Sequence, residues 1–269
     1  MTSILRKPAV AGRFYPGDPN VLLRDVFGYL TKSERARAIG CVVPHAGYMY
    51  SGHVAGAVFA RIELPRKFII LCPNHTGMGQ PLAIMSEGAW QTPLGEAIVD
   101  SKLAAELKQQ FHPLQDDVYA HMAEHALEVQ LPFLQAQLDE FTFVPICVGV
   151  GTYQMLSQLG DALAAVVQRQ TEPVLIIASS DMNHYETDSI TRKKDHKAIE
   201  QMLARSPEKL YETVQKERIS MCGYGPAVAM LTAAQGLGAQ NAELVKYATS
   251  AEVSGDRENC VGYAGVVVS

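Results

Sequence analysis

The sequence is short of positive charge. Its 269 residues carry 23 Lys plus Arg against 28 Asp plus Glu, a formal net charge of -5, and the pI lies near 5.9. The one basic cluster, Arg192-Lys193-Lys194, reads as the solvated face of a helix. Nucleic acid and anionic membrane surfaces are therefore disfavoured as partners. Cysteine is also scarce: five residues, none in a C-x-x-C pair, with Cys41, Cys72 and Cys147 inside apolar runs as small buried hydrophobes. That argues against a disulfide framework. No apolar stretch reaches the roughly 18 residues of a spanning helix. The basic residues of Met1 to Lys7 are not followed by the apolar segment of a secretory leader. The expected compartment is the cytoplasm. Internal repeats and low-complexity segments are lacking too.

What the chain does have is apolar material, 48% of its residues, enough to bury the core of one large α/β domain spanning residues 1–269. Short apolar runs alternate with helical patterns. The fold class expected is a three-layer α/β/α arrangement with a central, mostly parallel sheet. Helices are predicted over Asn20 to Arg37, over Val54 to Ala60 with Ser51 as N-cap, over Ser101 to Phe111 and over Thr152 to Gln168. Helical spacing also runs through Ala120 to Leu134, with Pro132 expected to kink or divide it. Leu82 to Ser86 and Ala89 to Gly95 read as a pair of shorter strands or as a ribbon with a Glu87-Gly88 turn, and they contain the only tryptophan, Trp90. The segment Pro8 to Pro19 reads as an ordered arm packed on the domain.

Two strand ends organise the rest. Cys41-Val42-Val43-Pro44-His45-Ala46-Gly47 and Phe68-Ile69-Ile70-Leu71-Cys72-Pro73-Asn74-His75 each stop at a proline and deliver a histidine. A third run, Val174 to Ser180, leads into Asp181-Met182-Asn183-His184. In open α/β sheets the ligand crevice lies outside the carboxyl ends of the strands. Cys222 precedes a predicted helix among Gly, Tyr and Pro, where a helix N-terminus favours thiolate. Two imidazoles and a thiolate, His45, His75 and Cys222, suit iron, copper or zinc better than calcium or magnesium. Asp181 near His184 is a carboxylate that could fix an imidazole for acid/base work. His121-Met122-Ala123-Glu124-His125 matches the H-x-x-E-H pattern of one metallopeptidase class. An amphipathic helix accounts for the match as well, so His125 and Glu124 are placed beside the pocket.

Pro8-Ala9-Val10-Ala11-Gly12-Arg13-Phe14-Tyr15-Pro16, Pro44 to Gly52, Pro73-Asn74-His75, Glu124-His125-Ala126-Leu127-Glu128, Ser179 to Tyr185 and Cys222-Gly223-Tyr224-Gly225-Pro226 together resemble the MEMO family. That family is similar in fold and site placement to class III extradiol dioxygenases, non-haem iron enzymes such as the catalytic subunit of protocatechuate 4,5-dioxygenase. The resemblance implies His45, His75 and Cys222 as metal ligands, Asp181 and His184 lining the same pocket, and His125 near it. Those dioxygenases use two histidines and a carboxylate, so a cysteine departs from their pattern. Bacterial and archaeal members imply a radical S-adenosylmethionine protein and a small partner domain as associates. Animal members are linked to cell motility, metal handling and peptide binding.

The leading expectation is a dioxygenase-like redox enzyme. Fe(II) is the expected cofactor, with Cu or Zn as alternatives, and the substrate is catechol-like. In this reading His184, oriented by Asp181, is the general base, and His125 or Tyr48 stabilises the oxygen species. A metal- or peptide-binding module without turnover is the second reading. A hydrolase, using zinc or a Cys222 nucleophile, is the third.

Overall fold

Alternation of buried side chains along the strands divides the molecule into layers. In the computed structural model, which describes residues 4–149 and 151–269, Cys41 and Val43 belong to one apolar cluster and Val42 to another. Phe68, Ile70 and Cys72 likewise separate from Ile69 and Leu71. Successive strand residues face opposite sides, so a sheet covered on both faces needs continuous apolar runs. These runs supply them.

In chain order the first elements are β1 Leu5–Arg6, α1 Pro19–Tyr29, β2 Gly40–Val43, α2 Tyr48–Arg61, β3 Lys67–Pro73, β4 Leu82–Ile84, β5 Ala89–Thr92 and β6 Gly95–Val99. Next come α3 Ser101–Gln110, β7 Gln115–Asp116, α4 Tyr119–Met122, a 3-10 turn over Glu128–Gln130, α5 Leu131–Gln135 and β8 Thr142–Val148. Then follow α6 Tyr153–Val167, β9 Val174–Ser179, β10 His184–Glu186, α7 Asp188–Leu203 and α8 Pro207–Lys216. The chain closes with α9 Tyr224–Gly236, β11 Ala242–Thr249, α10 Ala251–Ser254 and β12 Cys260–Val268.

The sheet runs β1-β5-β6-β8-β3-β9-β2-β12-β10, with β11 on β12 and β4 on β8. Its centre, β6-β8-β3-β9-β2, is parallel, as expected for the three-layer class. Helices α1, α2 and α5 cover one face through Leu22, Val26, Phe59 and Phe133. Helices α3, α6, α8 and α9 cover the other through Leu103, Leu159, Leu210 and Leu231. Each such side chain contributes about 2 kcal/mol by leaving water. Val43 stands opposite Ser179, and Pro73 reaches the same edge on β3. The carboxyl ends of β2, β3 and β9 therefore open together.

Four local expectations are corrected. Helix α1 ends at Tyr29, because the apolar positions of its pattern end at Leu30 and nothing beyond faces the core. Helix α2 begins at Tyr48, with Gly47 at the cap; Tyr48 N–H donates to the arm carbonyl of Phe14 at 2.7 Å, and Ser51 sits inside the helix donating back to Ala46 O. The β5–β6 hairpin turns at Pro93-Leu94, while β4 pairs antiparallel with β8. The stretch 120–134 is not one helix: Arg6 takes the carbonyls of His121 and Glu124, acceptors a continuous helix would need. Pro132 lies in the first turn of α5, where its missing N–H costs nothing.

Candidate metal centre

His45 leaves β2 after Val43-Pro44, and its backbone N–H donates to Asp181 Oδ1 at 2.8 Å. Its Nδ1 meets Ser179 Oγ at 2.9 Å. That hydroxyl also donates to Ala126 O at 2.6 Å and accepts from Gln130 Nε2 at 2.9 Å. A serine has one proton, and a carbonyl can only accept. The proton goes to Ala126, so His45 Nδ1 must carry its own hydrogen and Nε2 is left with a free lone pair. Nε2 faces Cys222 Sγ at 3.2 Å.

His75 leaves β3 after Pro73-Asn74 and is gripped twice by Glu124, backbone N–H to Oε2 at 2.6 Å and Nδ1 to Oε1 at 2.9 Å. The second contact again leaves Nε2 free. A ligand imidazole held by a carboxylate through its other nitrogen is the usual outer support of a metal site. His125 lies in the break between α4 and the 3-10 turn, its Nδ1 3.4 Å from Glu124 Oε1. Its ring stacks on His75 at 4.8 Å and stands edge-on to His45 at 5.5 Å. His45, His75 and His125 each bring one nitrogen within 4.8 Å of the others.

Burial lowers the His45 pKa, and the neighbouring His125 and His75 lower it further. His125 is also lowered, by burial first. Burial pushes His75 the same way, but the Glu124 hydrogen bond and charge outweigh it and leave it raised. Two of the three imidazoles are thus held neutral, the state that ligates metals. Asp181 is pushed up to about 7 by burial against the backbone donors of His45 and Ala46. At Cys222, burial and then the Asp181 charge drive the thiol above the ordinary range in the absence of a cation, against the pull of the start of α9 two residues on. Without a cation beside it, the sulfur is a thiol.

Asp181 does not orient His184. The His184 Nδ1 hydrogen goes to Ser220 O at 2.9 Å and its backbone N–H to Ser220 Oγ at 2.7 Å, while Asn183 Oδ1 accepts from Ser220 N–H at 3.2 Å. The His184 Nε2 lone pair is free, and burial lowers its pKa. Tyr48 is corrected as well: its hydroxyl donates to Val129 O at 2.6 Å, so only its ring faces the neighbouring cavity. The H-x-x-E-H reading fails. His121 is fully buried against Trp90, ring centroids 5.7 Å apart, and its pKa is lowered to about 4.

Sequence reasoning missed Ser179, Gln130 and Ser220, and also Arg6. Arg6 pairs with the buried Glu128 and donates to Glu124 O at 2.7 Å, steadying the turn that carries Glu124 and His125. The only signal for Ser179 and Gln130 was polarity at the end of, or inside, apolar runs. The fit to a metal is chemical: imidazole nitrogens of His45, His75 and His125 converge, Cys222 Sγ meets one of them, His45 Nε2, and the opposite ring nitrogens of His45 and His75 are committed to the protein. Such donors suit iron, copper or zinc.

Fold and cluster together define a three-layer α/β protein with a candidate histidine-rich metal centre at the carboxyl ends of its parallel strands. An uncharacterized protein of Escherichia coli K12, solved by crystallography, shares that fold at a TM-score of 0.58 and 12% identity, over 86% of this chain and 100% of its own. The chain belongs to the Memo-like protein family, whose model matches residues 6–267. A MEMO1 family protein of Methanopyrus kandleri is 42% identical over 97% of this chain and 98% of its own length. One of Methanosarcina barkeri is 42% identical over 98% and 100%. No helix among the described residues is long and apolar enough to cross a membrane.

Proposed function

We propose that the protein is a metal-dependent, dioxygenase-like redox enzyme acting on a small aromatic diol, with Fe(II) as the working metal and copper or zinc as competitors for the site. The carrying observation is the pair of imidazoles whose outer nitrogens are fixed by Ser179 and Glu124, leaving the inner nitrogens as lone-pair donors, that of His45 facing Cys222 Sγ at 3.2 Å. His45 and His75 would hold the ion, completed by Cys222 or by His125. Bound Fe(II) would supply redox chemistry with O2.

The protein's own part is positioning and proton movement. His184 presents a neutral Nε2 at the cluster's edge, its Nδ1–H anchored on Ser220 O. A substrate hydroxyl placed there gives its proton to Nε2, and the Ser220 carbonyl steadies the imidazolium formed. Asp181, buried beside His45, keeps that strand end in place. The raised Cys222 thiol disfavours a nucleophilic hydrolase, which needs thiolate at neutral pH.

The test is anaerobic Fe(II) loading followed by oxygen uptake with a catechol panel. Uptake with at least one diol is expected, lost in His184→Ala while metal is retained. No uptake by any diol with metal bound refutes the reading. Co(II) loading separates the ligand sets: a thiolate charge-transfer band assigns Cys222, and its absence assigns His125.

A further inference from the structure

Among the described residues, three other than glycine take a positive φ: Tyr185, Arg205 and Arg218, at 60°, 53° and 51°. Arg205 and Arg218 follow the last turns of α7 and α8, where Ser206 N–H returns to Gln201 O and Ile219 N–H to Val214 O, both at 3.0 Å. A left-handed residue is a common way to stop a helix. Tyr185 has no helix to end. It sits in the middle of β10, where a bulky side chain in this conformation is strained.

The cause is a bulge. His184 pairs with Val261 and Glu186 with Cys260, so β10 advances two residues while β12 advances one, and Tyr185 is the extra residue. Adjacent side chains of a regular strand point to opposite faces. Here the rings of His184 and Tyr185 lie together, centroids 5.5 Å apart. Both neighbours are fixed, His184 by Ser220, and Glu186 Oε2 by Asn183 Nδ2 at 2.7 Å and Lys194 Nζ at 2.6 Å. The ring takes no part in the core, for Tyr185 is 75% exposed. A bulge also blunts the outer edge of a sheet, which β10 is, but Gly or Asn would do that with less strain. The ring is the part left to explain. Two residues beyond Ser220, the anchor of His184, Cys222 Sγ faces His45 Nε2 at 3.2 Å. The exposed ring therefore stands next to the proposed base, at the edge of the cluster.

We propose that Tyr185 is the substrate-positioning ring of this site: the bulge holds it beside His184 so that the bound diol packs its ring on Tyr185 and brings a hydroxyl to His184 Nε2. Offset or edge-to-face contact between the two rings supplies the attraction. The proposal rests on the reading above for the kind of ligand; its turnover is a separate matter.

The test is calorimetric binding of catechol to anaerobic Fe(II)-loaded protein, with thermal unfolding of the metal-free protein, in wild type, Tyr185→Asn and Tyr185→Phe. Asn tolerates the left-handed conformation and lacks the ring. Tyr185→Asn should therefore unfold at or above the wild-type midpoint yet bind catechol about three- to tenfold more weakly. Tyr185→Phe, which keeps the ring, should restore the affinity. A lower midpoint in Tyr185→Asn would make the ring a structural prop, undiminished affinity would leave it idle, and weak binding by Tyr185→Phe would move the role to the hydroxyl; each overturns the proposal. Oxygen uptake separates it from the redox reading. Binding that weakens as expected in Tyr185→Asn, with no uptake by wild type, sinks the redox reading and leaves Tyr185 in its role. Uptake with equal affinities does the reverse. If wild type binds no catechol, both fall.

Discussion

Replacing Glu128 by Gln should be among the most damaging isosteric changes available in this protein. Glu128 is fully buried and accepts four hydrogen bonds: Arg6 and Ala9 N–H on Oε2, Val10 N–H and the Tyr15 hydroxyl on Oε1. Gln keeps the shape but turns one oxygen into a donor, and whichever way the amide is placed it faces two other donors. Arg6, also fully buried, loses its counter-charge and keeps only two carbonyls and the Trp90 face 4.2 Å away. Removing one partner of a buried pair costs about 3–5 kcal/mol, against a typical domain stability of about 5–15 kcal/mol. Urea denaturation of the metal-free protein should show that loss as a lower midpoint at unchanged slope. Because Arg6 also bonds Glu124 O, metal affinity should fall with it. Removing both charges, with Arg6→Met and Glu128→Leu, should recover only part of the stability, since the backbone groups both side chains serve are then orphaned. A Glu128→Gln loss below about 1 kcal/mol would show that the clamp is not what fixes the arm.

Ser179→Ala removes the acceptor that fixes His45 as the Nδ1–H form; metal affinity should drop about 10–100-fold in a competition titration, and an unchanged affinity would disprove the tautomer argument. Gly223→Ala drives a Cβ into the Ser179 carbonyl and the Ser180 side chain, so the Cys222 loop must shift and stability should fall by about 1–3 kcal/mol; a neutral result in thermal unfolding would mean the loop yields freely. Asp195 is buried, accepts from the Tyr247 hydroxyl at 2.7 Å and Asn183 N–H at 2.8 Å, and is pushed by burial from 3.8 up to about 7. The folded protein then keeps a proton that the unfolded chain releases, so this carboxyl makes stability fall as pH rises from about 4 to 7. Asp195→Asn should flatten that fall by a few kcal/mol at most, measured in metal-free protein at pH 5 and pH 8; identical slopes would contradict it.

Strand ends were legible because buried parallel strands advertise themselves: Val42-Val43-Pro44-His45 and Leu71-Cys72-Pro73-Asn74-His75 carry both the apolar run and the residue it delivers. Cys222 was legible as a position, but the preference of a helix start is local, and the desolvation that opposes it comes from distant chain. The stretch 120–134 kept its helical spacing and lost its helix for the same kind of reason: Arg6, more than a hundred residues away in sequence, captures the carbonyls of His121 and Glu124. Periodicity records which face is buried and says nothing of who competes for the backbone. The Ser179 and Ser220 anchors are contacts across 134 and 36 residues that no spacing rule connects.

The candidate ligands come from four loops, after β2, after β3, between α4 and α5, and before α9. The set is spread from residue 45 to residue 222, so an ion that binds here binds only the closed sheet. By mass action, occupancy at a hundredfold excess over Kd adds about 2.7 kcal/mol to the stability of the whole molecule. The metal supply of its surroundings would thereby set how long each copy of the protein survives proteolysis, as well as whether it is active.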